Sequence, residues 1–168
     1  MWVGFFAVNW MASLWVVWME IQRLGLPLEF WQPAVWEGSS HLVQLLLIPA
    51  ILAWDRRFPL ERGRISRSLG GHAAFTLPFS LVHVALMVAI RKVAYTTQGQ
   101  HYEFGPLSSE LLYEYLKDFR AYAGYLTIIY LYRFGLRRLR GEAQFLSEER
   151  DLEAVSYTHL TLPTTPYV

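Results

Sequence analysis

The chain has 168 residues, 54% of them hydrophobic, a formal net charge of +1 and no cysteine. That length suits one compact unit rather than two domains, and the missing cysteine excludes disulfides, thiolate metal sites and thiol catalysis. The near-neutral balance hides a segregation of charge that, with the apolar pattern, decides the class of the protein.

Four apolar runs, at residues 2–19, 34–54, 69–90 and 119–132, alternate with charged loops. A hydrocarbon core of ~30 Å takes about 20 apolar residues at a helical rise of ~1.5 Å each. The pattern predicts an all-α polytopic membrane protein, with four transmembrane helices in an antiparallel bundle. Arg56, Arg57, Arg62, Arg64 and Arg67 follow the second run against Asp55 and Glu61, and Arg133, Arg137, Arg138 and Arg140 close the fourth. The link between the first two runs has only Arg23 against Glu20 and Glu29. Arginines collect on the cytoplasmic side of membranes, so both termini are expected inside, with outward loops at 21–33 and 91–116.

The first run begins at Trp2 without a basic leader or a small-residue cleavage site, and reads as a retained helix rather than a signal peptide. Without a basic flank, the true start is allowed to lie upstream. Asn9 and Ser13 share a face there and suit an interhelical contact. Phe30, Trp31 and Trp36 fit the water–lipid boundary. The second helix stacks Glu37, Ser40, His41 and Gln44 on one face, with Pro49 as an expected kink. The third is expected to start after Gly70 and Gly71 and to carry His72, Thr76, Ser80 and His83 on one stripe, with a bend at Pro78. The fourth is expected to begin near Pro106 with Ser108 as N-cap and Glu110 in its first turn, and to continue past Arg140. At ~1.5 Å per residue it would reach about 50 Å, longer than a bilayer is thick.

These runs give a transmembrane domain over 1–140 and a charged cytoplasmic linker over 141–155. The last thirteen residues, 156–168, share nothing with the rest and read like translated sequencing adapter. The natural protein is expected to continue differently after about Val155.

The pointed constellation is Glu37, His41, His83, Arg91 and Lys92; Gln44 and, more weakly, Asp118 are further ligand or sensor candidates. His41 lies seven residues in from 34 and His83 seven in from 90, on antiparallel helices. That sets both at ~10 Å depth, with Glu37 one turn above and Arg91 and Lys92 level with it. A carboxylate, two imidazoles and a basic pair would then line a small outward pocket, fit for a polar ligand or for sensing protons. Plain helix–helix hydrogen bonding accounts for the same residues and weighs more. Metal or haem weighs least, because no histidine pair has a ligating spacing; no metal and no cofactor is assigned. Lys117 and Asp118 are expected to pair with Arg91 or Lys92. The tyrosines at 113, 115, 122, 125, 130 and 132 read as anchors and packing, and Arg133 as snorkelling to the inner surface. No nucleotide loop, nucleophile elbow or metalloprotease motif is present, so an enzyme is not expected.

The segments QPAVWEGSS (32–40), DRRFPL (55–60), LVHVALMVAIRKVAY (81–95), HYEFG (101–105), YEYLKD (113–118) and LRGEAQFL (139–146) carry a family likeness in combination. Together they resemble the N-terminal four-helix membrane region of certain proteobacterial LytTR-type transcriptional regulators. The resemblance spans roughly 2–146, with Glu103 where the family pattern has Asp. It implies a multi-pass protein of the bacterial inner membrane, whose partners are the lipid bilayer and a second copy of itself. It also implies that DNA is reached only through a cytoplasmic domain absent from this chain. The bundle would then sense or anchor, passing a signal through the fourth helix. Two other readings stay open: a small haem- or quinone-binding redox subunit, and the membrane sensor region of a histidine kinase.

Overall fold

A computed structural model describes residues 2–61 and 63–160; Arg62 of the basic loop and residues 161–168 of the expected non-native tail lie outside it. The described residues form four helices and no strand: α1 (Trp2–Leu24), α2 (Trp31–Arg57), α3 (Ile65–Thr97) and α4 (Leu107–Leu160). The all-α expectation holds. Three of them, α1, α2 and α3, with 23, 27 and 33 residues, are long and apolar enough to cross a bilayer. By composition α4 does not qualify: Glu114, Lys117, Asp118 and Arg120 crowd the start of its apolar run.

The buried positions explain why these segments pack as helices. On α2 they include Ser39, Ser40, Val43, Gln44, Ile48, Ile51 and Asp55, and on α3 they include His72, Thr76, Phe79, Ser80, His83, Val84, Met87 and Arg91. Both sets recur every three or four residues, the stripe a helix presents to its neighbour. The opposite faces carry large apolar groups in the open, among them Leu46, Leu81 and Val93, and α1 exposes Val3, Val8 and Met11. An apolar exterior of that extent fits a lipid solvent, since soluble monomers rarely expose such contiguous surface.

The chain divides into two compact units, Met1–Tyr122 and Ala123–Val168. In the first, α1 runs antiparallel to α2. Trp10 lies against Gly38, Phe6 meets His41 edge-on at 6.3 Å, and Trp18 meets Phe30 at 5.2 Å. α2 and α3 form a hairpin through residues 58–64. Its other end is closed by Gly99, whose positive φ of 66° lets the Gln100 N–H turn back to the Tyr95 carbonyl at 2.9 Å. The second unit is the remainder of α4; there Arg138 pairs with Glu142 at 3.2 Å and Arg133 lies 5.5 Å from the Tyr130 ring.

Three local expectations need correction. α3 does not begin after the Gly70–Gly71 pair but runs through it from Ile65. Gly71 is where Phe58 packs, and a methyl group there would sit 2.7 Å from the ring. The Gly71 carbonyl also accepts from Trp54 Nε1 at 3.0 Å. α4 begins at Leu107, so Ser108 is inside the first turn rather than its cap, and the Glu110 N–H already reaches the Pro106 carbonyl at 3.1 Å. Asn9 is exposed and donates within its own helix to the Phe5 carbonyl at 2.9 Å, not to a neighbour. Pro49 and Pro78 both lie inside unbroken helices.

Candidate functional site

The polar stripe of α3 meets residues of α2 and α4 along a ladder of hydrogen bonds. Its centre is Asp118 of α4, fully buried. Oδ2 accepts from Ser80 Oγ at 2.7 Å, and Oδ1 accepts from Gln44 Nε2 at 3.3 Å. His83 Nδ1 lies 2.9 Å from both carboxylate oxygens. With its proton on Nδ1, the neutral ring offers Nε2 as acceptor for the Ser40 hydroxyl, 3.1 Å away. Four side chains from α2 and α3 are thus tied, directly or through the imidazole, to one carboxylate of α4.

Toward the basic-loop end, Thr76 Oγ1 donates to the Ala73 carbonyl at 2.7 Å and lies 3.1 Å from the Tyr115 hydroxyl. His72 follows one turn on. Its Nδ1 is 2.7 Å from the Tyr122 hydroxyl and its Nε2 3.0 Å from the Phe58 carbonyl, with Asp55 Oδ1 at 3.7 Å. With Ser80 and His83 on Asp118 and His72 on Tyr122, α4 up to Tyr122 runs antiparallel to α3, and the long Tyr115 side chain reaches along it to Thr76.

At the opposite end, Arg91 is buried. Its Nε donates to Ser39 Oγ at 3.0 Å, one Nη to the Tyr102 hydroxyl at 2.9 Å and the other to the Trp36 carbonyl at 2.8 Å. Trp36 Nε1 in turn donates to the Tyr95 hydroxyl at 2.7 Å.

Of the residues singled out in the sequence, Gln44, His83 and Asp118 come together at the centre. Arg91 is buried nearer the end of the bundle, apart from them in its bonding. Glu37 and His41 do not join. His41 is half-buried, its Nδ1 2.8 Å from the Glu37 carbonyl and 3.9 Å from the Glu37 carboxylate, and its ring faces Phe6 of α1. Lys92 is exposed. Lys117 and Asp118 do not pair with Arg91 or Lys92: Lys117 pairs with Glu114 at 3.0 Å and Asp118 with His83. Ser39, Asp55, Tyr102 and Tyr122 were not picked out as site residues. Asp55 had a signal, because it continues the buried series Gln44, Ile48, Ile51 at helical spacing.

No protein-family model, no curated protein and no solved structure matches the chain.

Chemically, Ser40, His83 and Asp118 follow the order of a hydrolase triad. Acyl transfer also needs a donor pair about 3 Å from the developing oxyanion, and the α2 backbone around Ser40 spends its N–H groups inside the helix. Both ring nitrogens of His83 and of His72 are engaged by protein atoms, so ligation of a metal by either would cost existing bonds. Among the described residues no group of three or more His, Asp and Glu side chains is arranged to hold a metal ion. What the geometry does provide is a polar latch between three helices.

Proposed function

We propose that this chain is the membrane-embedded sensory and anchoring module of a LytTR-like transcription regulator. It sits in the bacterial inner membrane with both ends cytoplasmic, α4 making a fourth crossing beside the three apolar helices with its charged start held inside the bundle, and a DNA-binding domain follows in the whole protein. The observation that carries this reading is the buried Asp118. It lies on the helix that continues past Arg140 into the charged linker, and its hold on α2 and α3 is made of bonds that a signal can break and remake. The one-sided arginines and the family likeness of six segments support the same reading. A change at the latch shifts α4, and α4 shifts the dimeric reader domain.

The coding sequence beyond codon 155 in the source genome tests it. An in-frame LytTR domain supports the proposal, whereas a kinase domain or an immediate stop overturns it. In the whole regulator, His83→Ala is expected to change reporter output several-fold while His41→Ala leaves it near wild type. Unchanged output in both removes sensing and leaves an anchor.

A further inference from the structure

Arg91 differs from the other buried charges of the bundle. Asp118 has a histidine one hydrogen bond away, and Asp55 has His72 at 3.7 Å. Arg91, only 8% exposed, forms no ion pair with any described carboxylate, and its three partners are all neutral oxygens. A guanidinium carries five N–H groups in a rigid fork, and three of them are used here. Two remain, one on each Nη. A buried cation answered only by dipoles is an arrangement that an anion completes.

The surroundings specify which anion. The Tyr102 ring lies 5.7 Å from the guanidinium carbon, and Tyr95 stacks edge-on with Tyr102 at 5.2 Å and with Trp31 at 4.8 Å. Trp36 completes the ring of aromatics. Arg91 is six residues from the end of α3 at Thr97, ~9 Å along the axis. In a bilayer that is the depth of the aromatic belt, next to the phosphates of the lipid headgroups. Phosphate oxygens also match the guanidinium fork better than a point charge would. Tyr102 comes from the loop joining α3 to α4, and Gln100 of the same loop bonds Gln32 of α2 at 3.2 Å. The loop therefore lies across the site, and its tyrosine hydroxyl holds an N–H that a phosphate oxygen can take over.

We infer that Arg91, framed by Trp36, Tyr95 and Tyr102, is a phosphate-binding site at the end of the bundle away from the basic loop. The phosphate comes from a lipid headgroup or from a soluble phosphate compound. The site supplies a ligand class for the sensory module proposed above, but its test is made on this chain alone and does not depend on a DNA-binding domain.

The chain purified in dodecylmaltoside is titrated with inorganic phosphate at constant ionic strength and followed by tryptophan fluorescence, Trp31 and Trp36 being the two of its seven tryptophans next to the site. Phospholipid phosphorus retained through purification is measured in parallel. The expected result is a saturable fluorescence change or about one retained phospholipid per chain, and at least a tenfold loss of that binding in Arg91→Gln. A phosphate response identifies the soluble source, and retained lipid without one identifies the headgroup. Tyr102→Phe keeps the charge and removes the competing hydroxyl. It is expected to lower the half-saturating phosphate concentration by about threefold, or to slow loss of lipid under detergent washing to a similar degree. Absence of both signals in the wild type, or equal signals in Arg91→Gln, overturns the proposal. Should Arg91→Gln fail to fold, an unchanged affinity and washing rate in Tyr102→Phe overturns it instead.

Discussion

Asp118 gathers three donors from two other helices in a place without water to replace them. Two magnitudes bear on its removal: three interhelical hydrogen bonds in a membrane at about 0.6 kcal/mol each, and roughly 1–3 kcal/mol for each buried donor left without its acceptor. Asp118→Ala deletes the charge along with three bonds and leaves His83, Ser80 and Gln44 without their acceptor. A loss of about 2–4 kcal/mol is expected between those bounds, read by unfolding in mixed detergent–SDS micelles. His83→Ala should cost a similar amount, and the double variant less than the sum by about 1–3 kcal/mol; strict additivity would show that the two are not coupled. His41→Ala, which loses a bond to its own helix, should stay within about 0.5 kcal/mol of wild type. This contrast marks where the sequence was legible. Spacing identifies the polar faces that hold His83 and Gln44, but not the neighbour each face meets, and it gives no sign that Asp118 is their common partner. Equal depth suggested a His41–His83 pair, yet one residue along a helix is a turn of about 100°. Ser40 faces His83, and His41 faces α1.

At the level of elements, the number and order of helices were readable because long apolar runs have few alternatives in length or period. The ends were not. A Gly-Gly pair is a good stop signal by backbone entropy alone, and it was read as one before α3. In a membrane bundle small residues have a second use, to let another group approach closely, and Gly71 serves Phe58 in that way. Gly71→Ala should therefore destabilise the α2–α3 hairpin by roughly 1–3 kcal/mol, the usual cost of overpacking, despite alanine's better helix propensity. Phe58→Leu should relieve most of that loss. If Gly71→Ala proves as stable as wild type, the close approach of Phe58 is not a constraint. Gly70 has open space around it and gives the internal control: Gly70→Ala should be neutral or slightly stabilising.

For the molecule as a whole, solvent decides which face is turned out. The exposed faces of α1, α2 and α3 are apolar along lengths that match a hydrocarbon core, while the polar ladder runs inside. That is the reverse of a soluble bundle's usual division, in which polar side chains face out and the core is dry. Charge predicts the sidedness: the arginines flanking 58–64 in one compartment and the 98–106 loop in the other. Ser66 and Gln98 are both exposed and stand at opposite ends of α3, with 32 residues or ~48 Å of helix between them. The absence of native cysteine makes each a clean reporter once replaced by cysteine. A membrane-impermeant maleimide added to intact spheroplasts should label Gln98→Cys, and should reach Ser66→Cys only after lysis. Labelling of both from outside would put the two ends of α3 in one compartment. A helix of that length and apolarity would then have no bilayer across it, and the polar latch would have to be explained as the core of a protein in water.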